Sequence, residues 1–168
     1  ELEVNAFGTE WDLFLTKPYR DGGTAVDSWD IQGLETGVTI RGTINEPGDT
    51  DEGWSVELAL PWSVLEECAH KPAPPEDGDQ WRVNFSRVEW RHRVMDGRYE
   101  KVPDTPEDNW VWSPQGLINM HYPEMWGYVQ FVDHSVTERS SSTLSTNTGD
   151  INPDIYWALR IFYYLQKG

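Results

Sequence analysis

The chain has 168 residues, carries 29 Asp and Glu against 13 Lys and Arg for a formal net charge of −16, and is 38% apolar, with ten tryptophans against five phenylalanines. Charge of that sign repels phosphate backbones and anionic lipid, which sets nucleic acid and membrane insertion aside. The length suits one domain with an appendage; no apolar run approaches the roughly 20 residues of a membrane span, and Cys68, the single cysteine, excludes an intramolecular disulfide.

Alternation of apolar and polar residues dominates the first 132 positions and predicts strands with one buried face. In "ELEVNAF" the inward set is Leu2, Val4 and Ala6, and a short strand follows over Trp11 to Leu15. Another covers Thr36 to Arg41, and "EPGDTDEG" then reads as a hairpin connection, because Pro47 and Gly48 turn the chain while the acids stay solvated. In "GWSVELAL" Trp54, Val56, Leu58 and Leu60 share a face opposite Ser55, Glu57 and Ala59. Pro61 opens a short helix over "PWSVLEECA". In "QWRVNFSRVEW" Trp81, Val83 and Phe85 point one way and Arg82, Asn84 and Ser86 the other. Arg91 to Met125 reads as one long connection, of the kind that carries function, before a last core strand between Trp126 and Val132. The expected fold class is mainly β, an antiparallel sandwich over residues 1–132.

Composition then shifts. Residues 133–153, with "HSVTERSSSTLSTNTGD", read as a Ser/Thr-rich linker. Residues 154–168 turn apolar at helical spacing, with Asp154 a cap and Ile155, Leu159, Phe162 and Leu165 on one stripe, so a C-terminal helix is expected. At the other end Leu2 already lies inside a strand with no turn before it, which predicts earlier strands in a preceding segment or from self-association.

The stretches "ELEVNAFGTEWDLFL", "GWSVELALPWSVL", "GDQWRVNFSRVEW", "NWVWSPQG" and "NMHYPEMWGYVQF" occur in the order and spacing found in family 9-like carbohydrate-binding proteins, and residues 1–132 resemble that family. The resemblance implies a β-sandwich that binds glycan ends or chains without catalysis. It also implies a secreted bacterial protein, extracellular, periplasmic or at the cell surface, associated with polysaccharide degradation, and earlier strands ahead of Glu1. In family members that grip a sugar end two tryptophans sandwich the ring, the second just before the final strand. Aligned on Pro123 and Gly127, that place holds Met120, so Tyr122 or Trp112 would take its role.

Aromatic rings bind sugars because the axial C–H face of a pyranose is apolar, whereas its rim of hydroxyls wants amide, carboxylate or guanidinium partners. The candidate ligand-binding residues are Trp110, Trp112 and Tyr122 with Asn109 and Asn119 in the long connection, and Arg82 and Asn84 on a polar strand face. The competing reading has the two tryptophans plugging the end of the sandwich and the charges forming a solvated surface. "DTDEG" supplies hard oxygens without the spacing of a calcium loop, so a structural calcium stays open; the four scattered histidines lack zinc spacing. No nucleophile elbow, phosphate loop or dinucleotide fingerprint is present, and no enzyme is expected. Two alternatives to a carbohydrate-binding module stand beside it. One is an assembly protein that kept the sandwich and lost the clamp, and the other a haem-binding sandwich using Met120 with His121 or His92 as axial ligands.

Overall fold

The computed structural model describes residues 1–132 and the backbone of a further strand, Tyr156–Tyr164. The order is β1 (Leu2–Val4), β2 (Glu10–Asp12), β3 (Phe14–Leu15), β4 (Ala25–Val26), β5 (Glu35–Arg41), β6 (Gly53–Pro61), α1 (Trp62–Cys68), β7 (Gln80–Val83) and β8 (Ser86–Glu89). There follow β9 (His92–Met95), β10 (Arg98–Lys101), β11 (Asp108–Val111), β12 (Gly127–Gln130) and β13 (Tyr156–Tyr164). The chain is mainly β, as its alternation predicts, and every ladder is antiparallel. Among the described residues the sheets are small: one of three strands, in the order β13-β6-β5, and five of two strands.

β6 is the centre of the fold. It pairs along its length with β5 on one side and β13 on the other, so both its edges are filled. Val56 and Leu60 are buried, but so is Ser55 on the face expected to be polar. A central strand is covered on both sides, whereas simple alternation assumes one wet face. At its end Pro61 caps α1 with φ −62° and ψ 138°, since an extended proline cannot continue a strand ladder but can start a helix. Leu60 and Val64 then meet Ile31, with Leu2, Trp29, Leu34, Leu58 and Leu65 packed around them. Leu13 is the most deeply buried side chain, and next to it the Asp12 carboxylate accepts the Ile31 N–H at 2.6 Å. A second, aromatic contact ties the helix to the later strands: the Trp62, Trp81 and Phe131 rings stand edge to face with centroids 5.3 to 6.1 Å apart.

Two expectations are corrected. The tail expected to be helical forms strand β13, in a nine-residue register from Tyr156 opposite Pro61 to Tyr164 opposite Gly53. Its residues, YWALRIFYY, are rich in aromatic and β-branched types that favour an extended backbone. A helix that short gains little by itself, whereas the β6 edge satisfies its backbone groups. The linker at 133–153 and the remaining tail residues lie outside the described residues. The connection between Arg91 and Met125 is also not one loop. It contains the β9–β10 hairpin, turned by Asp96 and Gly97 at φ +50° and +72°, and strand β11. Asp-Gly is the turn pair that accepts positive φ at both central positions, and it is visible in the sequence.

Candidate ligand-binding site

The expected ligand-binding residues lie on and around one ribbon. β7 and β8 are two halves of an extended segment, interrupted at Asn84 and Phe85. β11 returns along the second half, with Val111 opposite Ser86, and β12 returns along the first, with Gly127 opposite Val83. Between them residues 113–126 leave the pairing as an excursion. Both returning strands lie at the same edge, because a Cβ added to Gly127 would meet Trp112 Cζ2 at 2.6 Å and Ser113 Cβ at 2.9 Å. Gly127 is therefore required by close approach: the chain re-enters the ribbon directly against the place where it left.

Trp112 marks that departure. Its backbone N–H donates to the Phe85 carbonyl at 3.0 Å, and its indole Nε1–H donates to the Val83 carbonyl, also at 3.0 Å. The Phe85 ring meets it edge-on with centroids 5.3 Å apart. The indole is thus fixed at both its polar and apolar edges, yet it remains 46% exposed, which leaves room for a ligand against the ring. Trp110, two residues earlier and 49% exposed, shares its side of the strand by the period of two and stands opposite Arg87. Arg87 in turn donates to Glu89 at 2.9 Å on that same side. Asn109 falls on the opposite face of β11, across from Val88.

The other expected residues hold the excursion. Arg82 donates to the carbonyls of Pro123 and Glu124 and lies over the Tyr128 ring at 4.6 Å. Arg20 covers the Tyr122 ring at 4.3 Å and pairs with Glu124. The hydrogen bond from Arg20 holds the Glu124 carboxyl below its ordinary range and raises the guanidinium in return. Asn119 accepts the His121 N–H at 3.0 Å in a local turn, and the Trp126 indole donates to the Met120 carbonyl at 2.9 Å. Asn84 points its amide nitrogen at Met120 Sδ, 3.7 Å away. The buried oxygens of Asn84 and Gln115 accept no hydrogen bond from any described residue, and both belong to the excursion or the strand beneath it.

The expected set is thereby divided: Trp110 and Trp112 form an open aromatic surface, and Arg82, Asn84, Asn119 and Tyr122 secure the segment beside it. Reading the sequence missed Phe85, Gly127 and the Val83 carbonyl, which orient Trp112. The alternation of Trp81, Val83 and Phe85 with Arg82, Asn84 and Ser86 runs unbroken through this stretch, so it gave no signal of them. Of the haem-ligand candidates, Met120 faces Asn84, His121 bonds Glu1 at 2.7 Å, and His92 lies on the β9–β10 hairpin. Among the described residues no three His, Cys, Asp or Glu side chains gather in a way that could hold a metal ion, and no helix is long and apolar enough to cross a membrane. A separate cleft of about 200 Å³, between Phe7, Ile40, Ile44, Asn45, Asp51 and Trp54, is smaller than ordinary small-molecule sites of roughly 300 Å³ and more.

Fold and site together define a mainly β chain that carries an exposed, oriented aromatic surface. Comparison with protein-family models, curated proteins and solved structures finds no match.

Proposed function

We propose that the chain is a non-catalytic carbohydrate-binding module of antiparallel sandwich type, acting outside the cytoplasm beside polysaccharide-degrading enzymes. The observation that carries this reading is Trp112: an indole locked by the Val83 carbonyl and Phe85 while about half its surface stays open. A tryptophan that served only to plug a sandwich would bury its ring as well as its N–H. Trp110 extends the surface along the strand, and Arg87 and Glu89 on the same side supply donors and acceptors for hydroxyl groups. Pre-orientation matters here, because a ring already held in place loses little side-chain entropy on binding.

The test is affinity electrophoresis against a panel of soluble neutral glycans, followed by calorimetry on the best. Trp112→Ala should weaken binding about tenfold, equivalent to about 1.4 kcal/mol and within the reach of one aromatic contact. Trp110→Ala should weaken it less. Wild-type affinity in both variants, with their circular dichroism unchanged, would refute the reading.

One observation favours assembly as a second reading: among the described residues only Leu13, Ile31, Val56, Leu60 and Val64 form the buried apolar core, and the sheets are small with open edges. Light scattering that shows only monomers at high concentration would count against it.

A further inference from the structure

The β9–β10 hairpin is the part of the described chain with the least support from a core. Every residue from Arg91 to Lys101 is exposed. A lone two-stranded hairpin is marginal in water, yet this one is ordered by contacts across its own strands. The tight Asp96-Gly97 turn sets its register, Arg93 pairs with Glu100 at 3.3 Å, and the His92 and Tyr99 rings meet edge to face at 5.0 Å. At its base the Val102 N–H donates to the Arg91 carbonyl at 2.8 Å, and Lys101 Nζ sits 3.1 Å from the centre of the Trp90 ring.

Its charge runs against that of the chain. Four of the 13 Lys and Arg, namely Arg91, Arg93, Arg98 and Lys101, lie on this arm beside only two acids, Asp96 and Glu100. Among the described residues neither Lys101 nor Arg98 has a carboxylate within ion-pair distance. The register places Lys101 opposite His92 and Tyr99 opposite Val94, so Trp90, His92, Lys101 and Tyr99 make one stripe along one face. From the level of Trp90 to that of Tyr99 the stripe runs four residues, about 13 Å of strand. Trp90 and Tyr99 are 42% and 40% exposed, so each keeps open ring surface, and the Lys101 ammonium lies over the Trp90 ring at one end of the stripe.

We propose that this arm is a second glycan subsite, one that selects anionic polysaccharide: Trp90 and Tyr99 contact sugar rings, Lys101 pairs with the carboxylate or sulfate, and Arg98 adds positive potential at the tip. The proposal rests on the carbohydrate-binding reading and names a ligand class for it. The acidic body does not forbid it, since charge is screened over about 8 to 10 Å at physiological salt and the arm carries its cations on exposed strands. A protein partner fits less well. A specific protein interface takes about 20 to 30 residues a side, well beyond what this short hairpin supplies.

The experiment is native affinity electrophoresis of the intact chain in gels containing polygalacturonate, dextran sulfate, a neutral glucan or poly-glutamate. Polygalacturonate, dextran sulfate or both should retard the wild type in a salt-sensitive way, and the stronger of the two identifies the anion. Lys101→Glu should abolish that retardation, with neutral-glycan binding through Trp112 unchanged, and Lys101→Arg should keep it. Lys101 is exposed, so its replacement leaves the packing intact, and Trp90→Ala supplies an independent variant with the same expected loss. Equal retardation by poly-glutamate, or retardation unaffected by Lys101→Glu, overturns the proposal. If neutral glycan binds through Trp112 and neither polyanion binds, the inference fails and the carbohydrate reading stands; if no glycan binds, both fail.

Discussion

Gly127 offers a sharp test of how the ribbon is built. Alanine there places a Cβ 2.6 Å from Trp112 Cζ2, 2.9 Å from Ser113 Cβ and 3.1 Å from Ser113 Oγ. The nearest obstacle is a ring whose position is fixed by the Val83 carbonyl at 3.0 Å and by Phe85, so it cannot swing aside without loss. Overpacking of this kind costs about 1 to 3 kcal/mol, and giving up the indole hydrogen bond adds about 1 kcal/mol. For a chain of this size each kcal/mol lowers the melting temperature by about 2 to 4 °C, so a fall of roughly 4 to 16 °C is expected. The control is Gly37→Ala in β5, where an added Cβ meets nothing within 4 Å and the smaller unfolded-state entropy should leave stability equal or slightly raised. Thermal melts by circular dichroism, with tryptophan fluorescence to follow the ring, compare the two. If Gly127→Ala melts with Gly37→Ala and the wild type, the excursion does not close against Trp112 and the account of the platform fails.

Leu13 is 1% exposed, so Leu13→Ala should remove about 2 to 5 kcal/mol in urea unfolding; a loss under about 1 kcal/mol would mean that this site is not packed. Acid should weaken the fold through two pairs. Glu124 is held below the ordinary carboxylate range by the hydrogen bond from Arg20, and Asp79 by the hydrogen bond from Lys71 and then by the Glu76 N–H. A depressed carboxyl stabilises the folded state above its unfolded value, about 4.3 for Glu and 3.9 for Asp, and that contribution disappears as pH falls through the folded value. Stability should therefore decline below about pH 4, and Glu124→Gln together with Asp79→Asn should flatten the decline; an equally steep profile in the double variant would assign it to other carboxylates.

Much of the strand pattern was legible because alternation records which face is buried. The strands at Glu35–Arg41 and Gly53–Pro61 follow directly from it, and the short helix follows from Pro61. The Asp96-Gly97 turn was equally legible, since two positive φ values demand such a pair, but a reading that took the whole stretch as one connection passed over it. The tail was ambiguous for a physical reason. YWALRIFYY satisfies a helical stripe and a strand alike, and only the free edge of β6 decides between them.

The candidate site shows the same division. Tryptophans in a Pro- and Gly-rich stretch signal a surface of interest from residue chemistry alone, because an indole joins an apolar face to a single donor. That Trp112 is locked while Tyr122 is covered by Arg20 depends on contacts between residues far apart in the chain, Val83 with Trp112 and Arg20 with Glu124. What the sequence by itself determined was local: acidity, antiparallel β character, the start of the short helix and the aromatic wealth of one segment. Which edge each strand fills, where the excursion closes on Gly127, and which rings stay open were decided by tertiary structure. Those outcomes are set by nonlocal packing and by satisfying backbone groups across the fold, and neither leaves a periodic trace in the chain.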